Sequence, residues 1–93
     1  MKIRDIVKTL GLKVISGEKF LDIEVTGGYA GDLLSDALAN SKKGNIWITL
    51  QIHQNIIAVA SSKELSGIII VNGRKPEEET LKKAKEEKIP VMI

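Results

Sequence analysis

The sequence contains no cysteine, and only three of its 93 residues are aromatic. The lack of cysteine excludes disulfides, thiolate zinc sites and cysteine nucleophiles, and it is compatible with a reducing cytoplasm, where we expect the chain. The scarcity of aromatic residues means that the core must be built from isoleucine, valine, leucine and alanine.

Strong charge of one sign and long apolar runs are also missing. The net charge is +2, and no cluster of lysine and arginine alternates with aromatic residues, so we expect no nucleic-acid partner. The longest unbroken apolar run, residues 67–71, is far shorter than the roughly 20 residues that a membrane helix requires. Asp5 and Lys8 interrupt the apolar pattern of the N-terminus, which therefore does not read as a signal peptide. We expect a soluble chain that does not enter a membrane.

The length of 93 residues predicts one domain over residues 1–93. A domain this small leaves a large share of its surface in water, so its margin of stability is thin. Association with a second copy would relieve this.

The first half of the chain predicts two helices and two strands. Apolar residues at helical spacing predict a helix over residues 3–10, with Gly11 as its stop. Strands are expected at residues 12–16 and 21–25, the second because apolar and charged residues alternate there. A second helix is predicted over residues 30–41, with Gly44 as its stop signal.

From residue 45 onward, strand and helix patterns alternate. Strands are predicted at residues 45–50, 67–71 and 90–93, and helices at residues 53–62 and 76–88, the last with Pro76 at its first position. Alternation of this kind implies right-handed crossovers between parallel strands. The expected fold class is α/β, a single small domain with a mixed, partly parallel sheet flanked by helices.

Two patterns near the second predicted helix suggest chemistry. Gly27 and Gly28 could let backbone N–H groups approach a phosphate, but they match no phosphate-loop motif, and a bend between a strand and a helix is the favoured alternative. Asp32 and Asp36 are four residues apart and would share a helix face, where they could hold a cation or only face solvent or a second copy. No third ligand completes a metal set, and we expect no metal and no cofactor.

The only histidine lies where the strand at residues 45–50 passes into a helix. Ligands of parallel sheets gather beyond the carboxyl ends of the strands, so polar side chains of this loop are candidates for a ligand site or an interface. These candidates are Thr49, Gln51, His53, Gln54 and Asn55. In a purely structural alternative, Asn55 caps the helix and His53 bonds within the loop.

The next loop between a strand and a helix contains Asn72, Gly73 and Arg74, followed by Lys75. Two cations and exposed N–H groups near a helix start would suit an anion. The three glutamates at residues 77–79 oppose that reading, and a structural turn is the alternative.

Taken together, a polar loop, the segment "IIAVA", the segment "GIIIVNGRKP", a charged helix and a final "IPVMI" resemble the DRTGG domain. That family is similar to the N-terminal domain of HPr kinase/phosphorylase, and its modules accompany CBS domains in some regulated pyrophosphatases. The Asp-Arg pair of the family name would fall on Ile52 and His53, and the Thr-Gly-Gly on residues 71–73. Of these five positions only Gly73 matches.

The resemblance implies an α/β domain that associates in pairs and has a regulatory, non-catalytic role. We therefore expect a homodimeric regulatory or interaction module that acts with a protein partner, with Leu34, Asp36 and Leu38 at the interface between copies. The alternative is a sensor that binds an adenine nucleotide or another anionic metabolite at the two loops. An enzyme that uses His53 as general base is a third reading; phosphoryl transfer of the kinase type is excluded because no glycine-rich loop is followed by Lys-Ser or Lys-Thr.

Overall fold

The computed structural model describes residues 1–93 and contains one five-stranded sheet. The strands are β1 (Val14–Ser16), β2 (Gly27–Ala30), β3 (Asn45–Thr49), β4 (Gly67–Ile70) and β5 (Val91–Met92). Their order across the sheet is β1-β5-β4-β3-β2. Strands β2 to β5 are parallel to their neighbours, whereas β1 runs antiparallel to β5. The predicted mixed, partly parallel sheet is therefore confirmed.

Four α-helices flank the sheet. They are α1 (Ile3–Leu10), α2 (Leu34–Asn40), α3 (Asn55–Ser62) and α4 (Glu78–Glu87), and a short 3₁₀ turn covers Glu18–Phe20. No helix is long and apolar enough to cross a membrane.

The two faces of the sheet are covered unequally. On one face, α2, α3 and α4 enclose a cluster of twelve buried residues that includes Trp47, Ile57 and Ile68. On the opposite face, only α1 and the segment after it cover a cluster of four, in which Ile3 packs on Ile46, Ile69 and Met92. This difference arises because every parallel connection carries a helix, and all three of these helices lie on the same side.

The second half of the sequence was predicted closely. The continuous apolar run at residues 67–71 forms β4, all four residues of which are buried, as expected for a strand covered on both faces. The ends of the elements differ from the predicted ones by one or two residues. Helix α4 begins at Glu78 after the capping position Glu77, so the prediction that Pro76 is its first residue is wrong.

The first half contains the main errors. Residues 22–25 form only an isolated bridge between Lys2 and Glu24, so the strand predicted there is wrong. Their backbone satisfies the start of α1 instead, because Ile3 N–H donates to the Ile23 carbonyl at 3.1 Å and the first N–H groups of a helix have no partner inside it.

The paired glycines belong to the sheet. Gly27 and Gly28 lie in β2 and pair with Asn45 and Ile46 of β3, so neither the phosphate loop nor the bend before a helix is correct. Because Ala30 also belongs to β2, helix α2 cannot start until Leu34. It ends at Asn40, one residue before the predicted end, and its C-terminal cap is Ser41.

Two other glycines allow a direct test of backbone geometry. Gly11 ends α1 with φ +63°, and an added Cβ there would meet nothing within 4 Å. Gly17 has φ +81°, and an added Cβ would lie 2.6 Å from the Pro90 Cα atom. Only the second glycine is required by close packing as well as by backbone conformation.

We predict that Gly17→Ala destabilises the protein more than Gly11→Ala. Both substitutions force alanine into the left-handed region, at a cost of about 1–2 kcal/mol. Gly17→Ala adds an overlap with Pro90, which costs about 1–3 kcal/mol more. Urea unfolding followed by circular dichroism measures both changes; equal losses would contradict the close approach of residue 17 to Pro90.

Candidate functional site

The loop after β3 is anchored by a carboxylate that comes from the loop before α2. The Asp32 Oδ1 atom accepts hydrogen bonds from the Leu50 N–H group at 2.7 Å and from the Thr49 hydroxyl at 3.1 Å. The Gln51 side-chain amide donates to the Asp32 carbonyl at 2.8 Å. Thr49 and Gln51 are therefore engaged in holding the loop.

Asp32 and Asp36 do not act as a pair. Asp32 precedes α2 and bonds the β3 loop, whereas Asp36 lies in the first turn of α2, is exposed and makes no hydrogen bond. The prediction that the two share a helix face is wrong, because α2 starts two residues after Asp32. No group of three or more histidine, aspartate and glutamate side chains is placed to hold a metal ion.

His53 lies on the outer surface of the same loop. Its Nδ1 atom is 3.0 Å from the Glu77 Oε1 atom, and both side chains are about half exposed. Two further bonds join the loop to the start of α4, since the Ile52 carbonyl accepts from the Glu77 N–H group at 3.2 Å and from the Thr80 hydroxyl at 2.6 Å. A polar contact this exposed contributes little to stability.

Gln54 and Asn55 complete this loop. Gln54 occupies the capping position of α3, and no side chain caps the helix, so the prediction that Asn55 is the cap is wrong. Gln54 instead lines a shallow polar depression with four charged residues of α4, which are Glu79, Lys82, Lys83 and Glu86.

The second predicted loop forms a different depression. Asn72, Gly73 and Arg74 line a groove of about 300 Å³ at the carboxyl end of β4. Its remaining lining is apolar and consists of Leu12, Ile69, Ile70, Val71 and Ile93. No depression contains residues of both loops, so the structure divides the candidate residues between two places. Their role in binding stays a prediction.

The apolar part of the groove was not anticipated from the sequence. Leu12, Val71 and Ile93 are far apart in the chain and meet only because β5 lies between β1 and β4. Each of these residues has an ordinary core-like pattern in the sequence. No local signal distinguishes them from fully buried neighbours.

The candidate interface residues lie on α2. Ala37 is the only buried residue of this helix, and Leu34 packs partly on the large core cluster. Leu38 is 45% exposed, and Leu33, just before the helix, is 63% exposed. The fold therefore buries only part of the apolar surface of this segment.

Displaced pKa values occur at a pair on the α1 side of the molecule. The Arg4 Nε atom donates to the Asp22 Oδ1 atom at 2.6 Å. This hydrogen bond and, after it, the charge of the guanidinium lower the pKa of Asp22, and the same contact raises the pKa of Arg4. Both side chains are more than half exposed. The pair therefore links α1 to the segment at residues 21–25 and does not form a site.

No family model matches the chain, and no curated protein matches it. Among solved structures, it is similar to the CBS and DRTGG domains of the regulatory region of Clostridium perfringens pyrophosphatase, determined with the activator diadenosine tetraphosphate. The TM-score is 0.69 at 20% sequence identity. The chain has a DRTGG-like fold.

The similarity covers 97% of this chain but 39% of that regulatory region. The resemblance expected from the segments around "GIIIVNGRKP" is thus confirmed for the fold. The activator named for the Clostridium protein belongs to a region more than twice as long as the matched part.

We predict different consequences for removing the two aspartates. Asp32→Ala should lower the free energy of unfolding by about 1–3 kcal/mol, because the Thr49 hydroxyl and the Leu50 N–H group lose their acceptor. Asp36→Ala should change it by less than about 0.5 kcal/mol, as is usual for an exposed side chain without partners. Thermal and urea unfolding compare the two variants; similar losses would contradict the anchoring role of Asp32.

Proposed function

We propose that this chain is a regulatory module without catalytic activity of its own, and that it works as a homodimer with a protein partner. The observation that carries the pairing is the exposure of two leucines of one short segment, Leu33 and Leu38, in a domain whose edge strand β2 has a neighbour on one side only. Exposed apolar surface of this kind marks interaction sites when it forms a patch. The similarity to a pyrophosphatase regulatory region supports the regulatory role.

The pairing surface in this proposal consists of Leu34, Asp36 and Leu38 together with Leu33. Leu34 is half-buried against the core and would hold α2 in place. Leu38 would contribute most of the apolar contact area. Asp36 would lie at the rim, where a charge affects association rate and specificity more than affinity.

We expect the protein to be a dimer by multi-angle light scattering at about 100 μM. Leu38→Arg should weaken the dimer at least about tenfold, because it places a charge in the apolar contact. Leu10→Arg is the matched control, since Leu10 is 62% exposed but lies on α1. A wild-type monomer at this concentration would contradict the homodimer, and equal weakening by both variants would contradict its location.

A second function is favoured by the groove at the carboxyl end of β4. It combines an apolar floor with Arg74, and the regulatory region of similar fold was determined with a nucleotide activator. We propose that the module senses an adenine nucleotide or another anionic metabolite. The ligand contacts predicted from the sequence are His53, Asn55, Gly73 and Arg74. Of these four residues, the groove contains Gly73 and Arg74.

We expect an adenine nucleotide to raise the melting temperature of the protein. A ligand that binds only the folded state at 100 times its dissociation constant stabilises it by about 2.7 kcal/mol. A thermal-shift panel of adenosine mono-, di- and triphosphate and diadenosine tetraphosphate, with sodium chloride at matched ionic strength as control, measures the effect. No shift at about 5 mM nucleotide would contradict nucleotide sensing.

A further inference from the structure

The groove beside β4 has an unusual combination of an open apolar floor and unpaired donors. The floor is formed by Leu12, Val71 and Ile93 at the carboxyl end of β4, with Leu12 and Val71 next to the smaller core cluster and Ile93 next to the larger one. Its volume of about 300 Å³ lies at the lower end of the range for small-molecule sites. It is large enough for one planar ring and one compact polar group.

The turn at the mouth of the groove presents its backbone N–H groups. Asn72 and Gly73 both have left-handed backbone conformations, with φ +64° and +69°. The N–H groups of Asn72, Gly73 and Lys75 donate to no acceptor within the chain, while Arg74 N–H closes the turn on the Val71 carbonyl at 3.4 Å. Successive N–H groups in such turns form concave anion sites.

Side-chain charge also favours an anion at this turn. The Arg74 guanidinium forms no ion pair, and neither does the neighbouring Lys75. A free guanidinium can bind a phosphate or carboxylate with two parallel hydrogen bonds.

The glutamates that follow the turn do not oppose an anion here. The Glu77 carboxylate turns to His53 at 3.0 Å, and Glu79 lines the polar depression beside Gln54. No acidic side chain lines the groove. None of the three glutamates at residues 77–79 is therefore part of the groove.

We propose that this groove binds a small anion that combines one phosphate or carboxylate group with a planar ring, as a nucleoside monophosphate does. The anion would bind the turn at residues 72–75 and Arg74, and the ring would cover Leu12, Val71 and Ile93. This inference rests on the sensing function proposed above and deepens it, because it assigns the site to one loop and leaves His53 and Asn55 outside.

The test is a titration of the intact, ¹⁵N-labelled protein followed by amide chemical shifts. Adenosine monophosphate should shift the signals of Leu12, Asn72, Gly73 and Ile93. It should also bind at least about tenfold more tightly than adenosine or inorganic phosphate, since each of these retains only half of the contacts.

Variants assign the contacts. Arg74→Gln should weaken adenosine monophosphate binding about tenfold, because it removes a charge-assisted hydrogen bond. Lys82→Gln removes the same charge from the polar depression and should leave binding unchanged, as should His53→Ala. Arg74 is exposed and makes no contact that the fold needs, so the variant spectrum should otherwise match the wild type.

Several outcomes would overturn the inference. In one such outcome, the chemical-shift changes centre on His53, Gln54 and Asn55, and they are lost in His53→Ala but kept in Arg74→Gln. This result would place the ligand site at the loop after β3 and would still support nucleotide sensing. Phosphate binding as tight as that of adenosine monophosphate would remove the role of the apolar floor. No shift with any compound at about 5 mM would remove the site and nucleotide sensing together, whereas the oligomeric state measured by light scattering would still decide the homodimer independently.

Discussion

The structure depends on the parallel pairing of β3 and β4 at the middle of the sheet. These strands are covered on both faces and contribute Trp47, Ile68 and Ile70 to the larger core cluster and Ile46 and Ile69 to the smaller one. In a chain of 93 residues with few aromatic side chains, no other segment buries so much apolar surface. The positions of the two neighbouring strands, and hence of all the loops at their carboxyl ends, follow from this pair.

A consequence of this arrangement is the unequal cover of the sheet. Each parallel connection requires a helix, and three consecutive right-handed crossovers place α2, α3 and α4 on one side. The other side has only α1 and the segment that follows it. The apolar groove at Leu12 and Val71 lies at the carboxyl end of β4, beside Ile93 at the end of β5. The candidate ligand site therefore exists because of the strand order. Its polar edge is the turn at residues 72–75, in which Asn72 and Gly73 have left-handed backbone conformations.

The polar loop after β3 has a different character. The hydrogen bonds of Asp32 hold Thr49, Leu50 and Gln51 in place, and the Ile52 carbonyl ties the loop to α4. Buried or half-buried polar groups are usually paired in this way. A cluster of polar residues at the end of a strand thus serves the fold first, and only His53, Gln54 and Asn55 remain available at its surface.

Sequence alone determined the fold class and the second half of the architecture. The run at residues 67–71 and the apolar segment at residues 56–60 are so strongly patterned that their burial on the sheet was predictable. Tertiary structure decided the rest, because the deciding contacts lie between residues distant in the chain. Glycine has a low strand propensity, and Gly27 and Gly28 form β2 only through their pairing with Asn45 and Ile46 of β3. Residues 22–25 alternate like a strand but pair with the start of α1, and Leu12, Val71 and Ile93 form a groove only through the strand order.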